Sequence, residues 1–195
     1  IMLQVLRGHG GGVALVAILL FNMAFTPNFF QLQTLFVNIS QVATIAIVAM
    51  LMTLVIATGG IDLSVGAIMA LAGALAPLIF LSEFGTAYPV LGVALAIALP
   101  LLVALACGLF NGIMVAKLNV QPIIATLILF ISGRGVAQVL TNGNLQTFSN
   151  PQFSYLGTGK ILGLPFQGWL AVAIAVVLYL VISRTTFGRY VLAIG

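Results

Sequence analysis

The sequence is 195 residues long, 63% hydrophobic and 4% charged, with a formal net charge of +4. Soluble domains carry about 25% charged residues, so a water-soluble globule is excluded. The six basic residues are scattered rather than clustered, so no nucleic-acid partner is expected.

Continuous apolar runs of about 20 residues predict membrane-spanning helices, and their lack of alternation argues against a β-barrel. Ile1 to Gly12 carries Arg7 and His9, ends in three glycines, and reads as a juxtamembrane lead. The first span is Val13 to Phe25; Pro27 ends it, and Phe29 and Phe30 are interface anchors. A signal peptide is the competing reading, disfavoured because no small-x-small cleavage site follows. Gln31 to Ser40 is mixed. The second span, Gln41 to Thr58, reaches ~27 Å as a helix, close to the hydrocarbon thickness.

Gly59 to Gly66 follows and holds Asp62, one of two acidic residues in the chain. Gly59 and Gly60 permit a sharp turn, and Asp62 or Ser64 is placed to cap the next helix. Two readings stand together. One is a capping turn at the membrane face. The other is a broken helix whose positive end faces a solute path. Gly59, Gly60, Asp62 and Gly66 are therefore structural or gating candidates.

The third span is Ala67 to Leu81, with a start nearer Leu63 expected, and Gly66, Ala70 and Ala74 share a face. Ser82 to Pro89 reads as a polar turn holding Glu83. The fourth span, Val90 to about Val115, has small residues every fourth place, and Ala104, Gly108 and Gly112 are expected on a helix-packing face. Its lone cysteine, Cys107, reads as a packed thiol.

The fifth span, Gln121 to about Leu140, opens with Pro122 and contains Arg134. Arg134 lies ~20 Å along that helix. There it either snorkels to the headgroups or faces a pore, with Glu83 the sole acidic partner on that side. Thr141 to Pro165 is the longest polar stretch and is rich in turn signals. The sixth span opens at Trp169, ends near Ser183, and is followed by Arg184 and Arg189.

Six spans put Arg7, Asp62, Lys117, Arg184 and Arg189 on one side and Glu83 and Lys160 on the other. The positive-inside rule makes the first side, with the N-terminus, cytoplasmic. The expected fold is all-α and polytopic: a single transmembrane domain over residues 1–195. The sequence starts at Ile1 and stops at Gly195 straight after an apolar run, so truncation at both ends is expected.

No nucleotide-binding or metalloprotease motif is present, and one histidine, one cysteine and two carboxylates build no common catalytic set. No enzyme activity, catalytic residue, metal site or cofactor is expected in this chain. A chain of intramembrane acids, usual in proton-coupled carriers, is also missing. If a solute moves, the energy comes from elsewhere.

Several stretches resemble one family. Thr58-Gly59-Gly60-Ile61-Asp62-Leu63-Ser64-Val65-Gly66 resembles the signature of carbohydrate permeases of bacterial ABC importers of the ribose, galactose and arabinose type. Asn111-Gly112 with Val120 to Leu127, then Gly133 to Gln138, Thr147 to Pro151 and Arg184 to Arg189, resemble later blocks in the same order. The fifth-span block is most similar to the galactofuranose branch. The resemblance covers roughly Gln41 to Gly195.

It implies a permease of the bacterial inner membrane that pairs with a second permease, as a homo- or heterodimer. It implies two cytoplasmic ATPase subunits, which hold ATP and magnesium, and a periplasmic sugar-binding protein. It also implies a helix docking on the ATPase just past residue 195. A monosaccharide suits hydrogen-bonding side chains better than charges. Asn38, Gln41, Thr44, Thr53, Thr58, Asp62 and Ser64 are the substrate-path candidates. The alternative is a secondary carrier or channel that works without ATPase subunits.

Overall fold

A computed structural model describes residues 2–194, with side chains described for 11–151 and 153–194. The side chains of Arg7 and His9 thus lie outside the described residues. The elements are α1 (Met2–Phe25), α2 (Leu32–Ala57), α3 (Val65–Leu81), α4 (Glu83–Ala87), α5 (Pro89–Ala116), α6 (Pro122–Leu140), α7 (Pro151–Thr158), β1 (Lys160–Ile161), β2 (Leu164–Pro165), α8 (Phe166–Arg184) and α9 (Thr186–Ile194). The chain is an all-α polytopic membrane protein. Among the described residues α2, α5, α6 and α8 are long and apolar enough to span a membrane, and two shorter apolar helices cover Gly11–Phe25 and Val65–Leu81.

Helix ends follow local chemistry. At the end of α2, Thr58 is the C-cap and Gly59 turns left-handed at φ +71°. The Gly59 N–H then donates to the Ile56 carbonyl at 2.9 Å and the Gly60 N–H to the Val55 carbonyl at 3.0 Å. That pair of bonds is a Schellman cap, and its left-handed place suits glycine. The end of α6 repeats it with Asn142 at φ +51° in the glycine's place. Proline opens α5 and α6, where its missing N–H leaves no intrahelical bond unmade.

Some boundaries differ from those expected. α2 begins at Leu32, not Gln41, because the polar residues of 33–40 continue its helix without a breaker. Ser82 to Pro89 is not a plain turn: Ser82 caps the short α4, its hydroxyl accepting from the Gly85 N–H at 3.1 Å. The polar stretch after α6 holds α7, whose first turn is capped by Asn150 Oδ1 accepting from the Phe153 N–H. It also holds a two-residue hairpin in which Leu162 and Gly163 both take positive φ, the type I′ arrangement.

The helices sort into two groups. α3 packs on α4, α5 and α6, and α2 packs on α8, β2 and α9. In the first group α3 and α5 run antiparallel. Ser64 meets Asn111, Leu71 and Ala74 lie against Val103 and Cys107, and Ala76 and Phe80 lie against Val93 and Ala96. α6 runs parallel to α3. A Cβ on Gly133 would sit 3.2 Å from Ala67 Cβ and 3.3 Å from Leu71 Cδ1, so the glycine sets the closeness of approach. Phe148 and Phe153 close the far end, Phe148 stacked on Phe80 with ring centroids 4.7 Å apart and Phe153 edge-on to it at 5.1 Å.

The packing face of α5 departs from the expected row. Ala104 is half-buried, but Gly108 and Gly112 are exposed, with nothing within 4 Å of an added Cβ. Residues four apart on a helix rotate about 40° past a full turn. A row of six therefore drifts about 200°, which puts Gly112 opposite Gly92. The face that packs steps instead through Gly92, Ala96, Pro100, Val103, Cys107 and Asn111. Gly66 likewise meets nothing, whereas Ala74 on the same expected row is buried.

Candidate functional site

The turn from Gly59 to Ser64 carries a polar network between helices. Asp62 Oδ1 accepts from the Ser64 N–H at 2.7 Å and from the Ser64 hydroxyl at 2.6 Å. Ser64 Oγ in turn accepts from Asn111 Nδ2 on α5 at 3.0 Å. Ser64 is fully buried and Asn111 is 8% exposed. Asn111 Oδ1 is buried with no hydrogen-bond partner. Ser64 is the N-cap residue of α3, yet its side chain accepts from none of the helix's own N–H groups. The expected cap is therefore an Asx turn leading into the helix, and Ser64 is directed sideways at α5 rather than along α3. Asn111 is five residues short of the end of α5, so the turn is recessed by about 8 Å from that end.

The candidates on α2 do not converge. The hydroxyls of Thr44, Thr53 and Thr58 donate to backbone carbonyls of Ser40, Ala49 and Val55 in their own helix. Asn38 borders an apolar cavity against Gly168 and Ala171 of α8. Gln41 faces a different hollow, beside Phe36 and Lys160, where Lys160 Nζ lies 4.0 Å from the Phe36 ring centre. Asp62 borders a third, with Val48, Leu51, Met52 and Val55 of α2. These candidates thus stand at separate places.

A set of polar groups that sequence reasoning did not assemble lies between α3 and the far half of α6. A cavity of about 330 Å³ is lined by Ala70, Gly73 and Ala74 on one side and by Arg134, Ala137, Gln138 and Thr141 on the other. Asn144, Leu145 and Gln146 complete its rim. Arg134, Gln138 and Thr141 share one face of α6 by their four- and three-residue spacing. That spacing was readable, but the role of α3 as the opposite wall was not. Gln146 Nε2 donates to the Thr141 carbonyl at 3.1 Å, and Asn144 Nδ2 to the Asn142 carbonyl at 3.1 Å. The Arg134 guanidinium carbon lies 5.8 Å from the centre of the Phe130 ring. Among the described residues no three of His, Cys, Asp and Glu come together as a metal site would require.

The register of the helices brings Asp62, Lys117 and Arg184 to one end of the molecule and Glu83 and Lys160 to the other. Among the described residues no ion pair joins Arg134 to Glu83.

A family model described as "Branched-chain amino acid transport system / permease component" matches residues 34–195. The galactofuranose transporter permease protein of Escherichia coli K12 is 42% identical over 94% of this chain and 54% of its own length. The ribose import permease protein of the same strain is 36% identical over 94% of this chain and 56% of its own. The fructose import permease protein of Bifidobacterium longum is 40% identical over 74% of this chain and 40% of its own. The chain thus spans about half the length of the curated relatives it matches. No solved structure matches the chain.

Proposed function

Because this chain belongs to the family of permease components of branched-chain amino acid transport systems, we propose that it is the membrane-spanning part of a permease subunit in an ATP-driven sugar importer of the bacterial inner membrane. The observation that carries the reading is the match, along almost the whole chain, to relatives named for galactofuranose and ribose transport. The galactofuranose relative has the higher identity of the two, in keeping with the resemblance in the fifth span.

In this reading the chain hydrolyses nothing. A second permease, identical or different, completes the path. ATPase subunits on the cytoplasmic side hold ATP and magnesium, and a periplasmic binding protein delivers the monosaccharide. The N-terminus and the end carrying Asp62, Lys117 and Arg184 face the cytoplasm, as their excess of positive charge favours. The Asp62–Ser64–Asn111 network ties the turn before α3 to α5 at that end. It is suited to passing a movement of the turn to the α3–α5 pair.

The test is sugar uptake by the complete complex in sealed vesicles, with D-galactose, D-ribose, L-arabinose and D-fructose as probes. ATP-dependent accumulation is expected. Uptake that persists without the ATPase subunits makes the protein a carrier or channel instead.

A further inference from the structure

From the contents of the α3–α6 cavity we infer that it is a contact point for a neutral monosaccharide on its way through the membrane, with Arg134 and Gln138 as its binding residues. The inference rests on the importer reading above and names a site within it. It replaces the scattered α2 candidates with a set that converges.

Arg134 is the starting point. It sits six residues before the end of a membrane-spanning helix. A guanidinium has five N–H donors and no acceptor. Among the described residues it forms no hydrogen bond and no ion pair, and its one recorded partner is the Phe130 ring face. A charge so placed faces protein or water rather than hydrocarbon. The side chain at the next place on that face, Gln138, also makes no hydrogen bond among the described residues. Two strong polar groups on one face thus open into the same cavity.

The opposite wall supplies no competing partner. Ala70, Gly73 and Ala74 carry no polar side-chain atom, and a Cβ on Gly73 would meet nothing within 4 Å. That wall lets a ring approach closely. The cavity of about 330 Å³ falls at the small end of the roughly 300–1,000 Å³ range of ligand sites.

The chemistry selects a neutral polyol over an anion. Gln138 both donates and accepts, and Gln146, with its nitrogen on the Thr141 carbonyl, has its oxygen left to accept. A carboxylate group has no proton to give to those oxygens. Sugar hydroxyls donate and accept in alternation, so they satisfy the carboxamides while two neighbouring hydroxyl oxygens take the planar fork of Arg134.

The test uses the complete importer in sealed vesicles, with wild-type uptake of the four sugars measured first. Gln138→Cys, in a Cys107→Ala background, is treated with a membrane-impermeant thiol reagent, with and without the sugar that wild type transports. Reaction is expected, slowed several-fold by that sugar and unaffected by D-galacturonate. Arg134→Lys and Gln138→Leu are expected to assemble with their partners and to lose uptake about tenfold, the scale of one lost hydrogen bond to a charged or buried group.

Absence of wild-type uptake defeats the importer reading, and this inference with it. Wild-type uptake combined with an inert or unprotected Gln138→Cys thiol defeats the site alone. So does unchanged uptake in both variants. Protection by D-galacturonate instead of the neutral sugar overturns the assignment of ligand class.

Discussion

α3 and α8 are similar in length, 17 and 19 residues, and both are strongly apolar, yet α3 buries Ala67, Leu71, Ala74, Ala76, Pro77 and Phe80 while α8 buries no residue. The difference lies in side-chain size. α3 presents Ala67, Ala74 and Ala76 to its neighbours and meets Gly133 of α6 at Ala67, and backbones come close where side chains are short. α8 presents Val172, Val176, Val177 and Leu180, which remain exposed within this chain. In a membrane, apolar burial does not by itself drive helices together, because lipid tails are as apolar as leucine. Hydropathy therefore marks which helices cross, and small residues mark which helices pair. The α3–α6 group is held by its own contacts. The large side chains of α8 take their cover from lipid or from another chain.

Gly133→Leu should show this contrast most strongly. Its side chain would have to enter the contact with Ala67 and Leu71, and overpacking of this kind costs about 1–3 kcal/mol or more. Loss of the monodisperse peak in mild detergent is expected. Gly108→Leu, on the open face of the same group, should behave as wild type. Equal loss in both variants would break the account of where α5 packs.

The Ser64–Asn111 pair should give the next largest effect. Ser64→Ala leaves both polar ends of a buried amide unpaired, a loss of about 1–3 kcal/mol. Asn111→Leu removes the donor together with the orphaned oxygen, so it should cost less. The double variant should be more stable than Ser64→Ala alone. Thermal unfolding of the four proteins in one detergent measures the cycle, and simple additivity would dissolve the network.

Asp62 follows. Asp62→Asn keeps an oxygen for the two bonds from Ser64 and should lose little folded stability. Asp62→Leu removes both bonds and should lose about 1 kcal/mol or somewhat more. If the two variants unfold alike, the Asx turn contributes nothing to folding. Uptake normalised to assembled complex then reads the charge separately from the turn.

The smallest effect belongs to α8. Val176→Ala should change detergent stability by less than about 0.5 kcal/mol, the usual range for exposed positions. A larger loss would mean that α8 is packed after all, and would erase the distinction between the two groups.

These elements were unequally legible in the sequence. The spans were visible because hydropathy is a sum over neighbours in the chain, and the turn at Gly59 because glycine tolerates the left-handed conformation found there. The packing face of α5 was misplaced because a four-residue rule drifts around a real helix: Cys107 is packed as read, but Val103 shares its face where Gly108 had been expected. Ser64 and Asn111 are 47 residues apart, and no local pattern joins them. The cavity wall of Ala70, Gly73 and Ala74 was hidden for the same reason. Asn150-Pro151 read only as a turn signal, although it opens α7, and the hairpin places Leu162 at φ +51°, against the usual preference for asparagine or glycine.

The pair of hydrogen bonds from Ser64 to Asp62 also bears on how the chain is made. Ribosomes add roughly 5–20 residues per second, so Asn111 is synthesised some seconds after Ser64, and the α6 residues that cover α3 later still. During that interval Ser64 has no Asn111 to meet. Its buried hydroxyl does not wait unpaired, because Asp62, two residues earlier, is already at hand to accept from it. Asp62 and Ser64 are two residues apart, so their bonds are local to the turn, whereas the bond from Asn111 has to wait for a residue 47 places later in the chain.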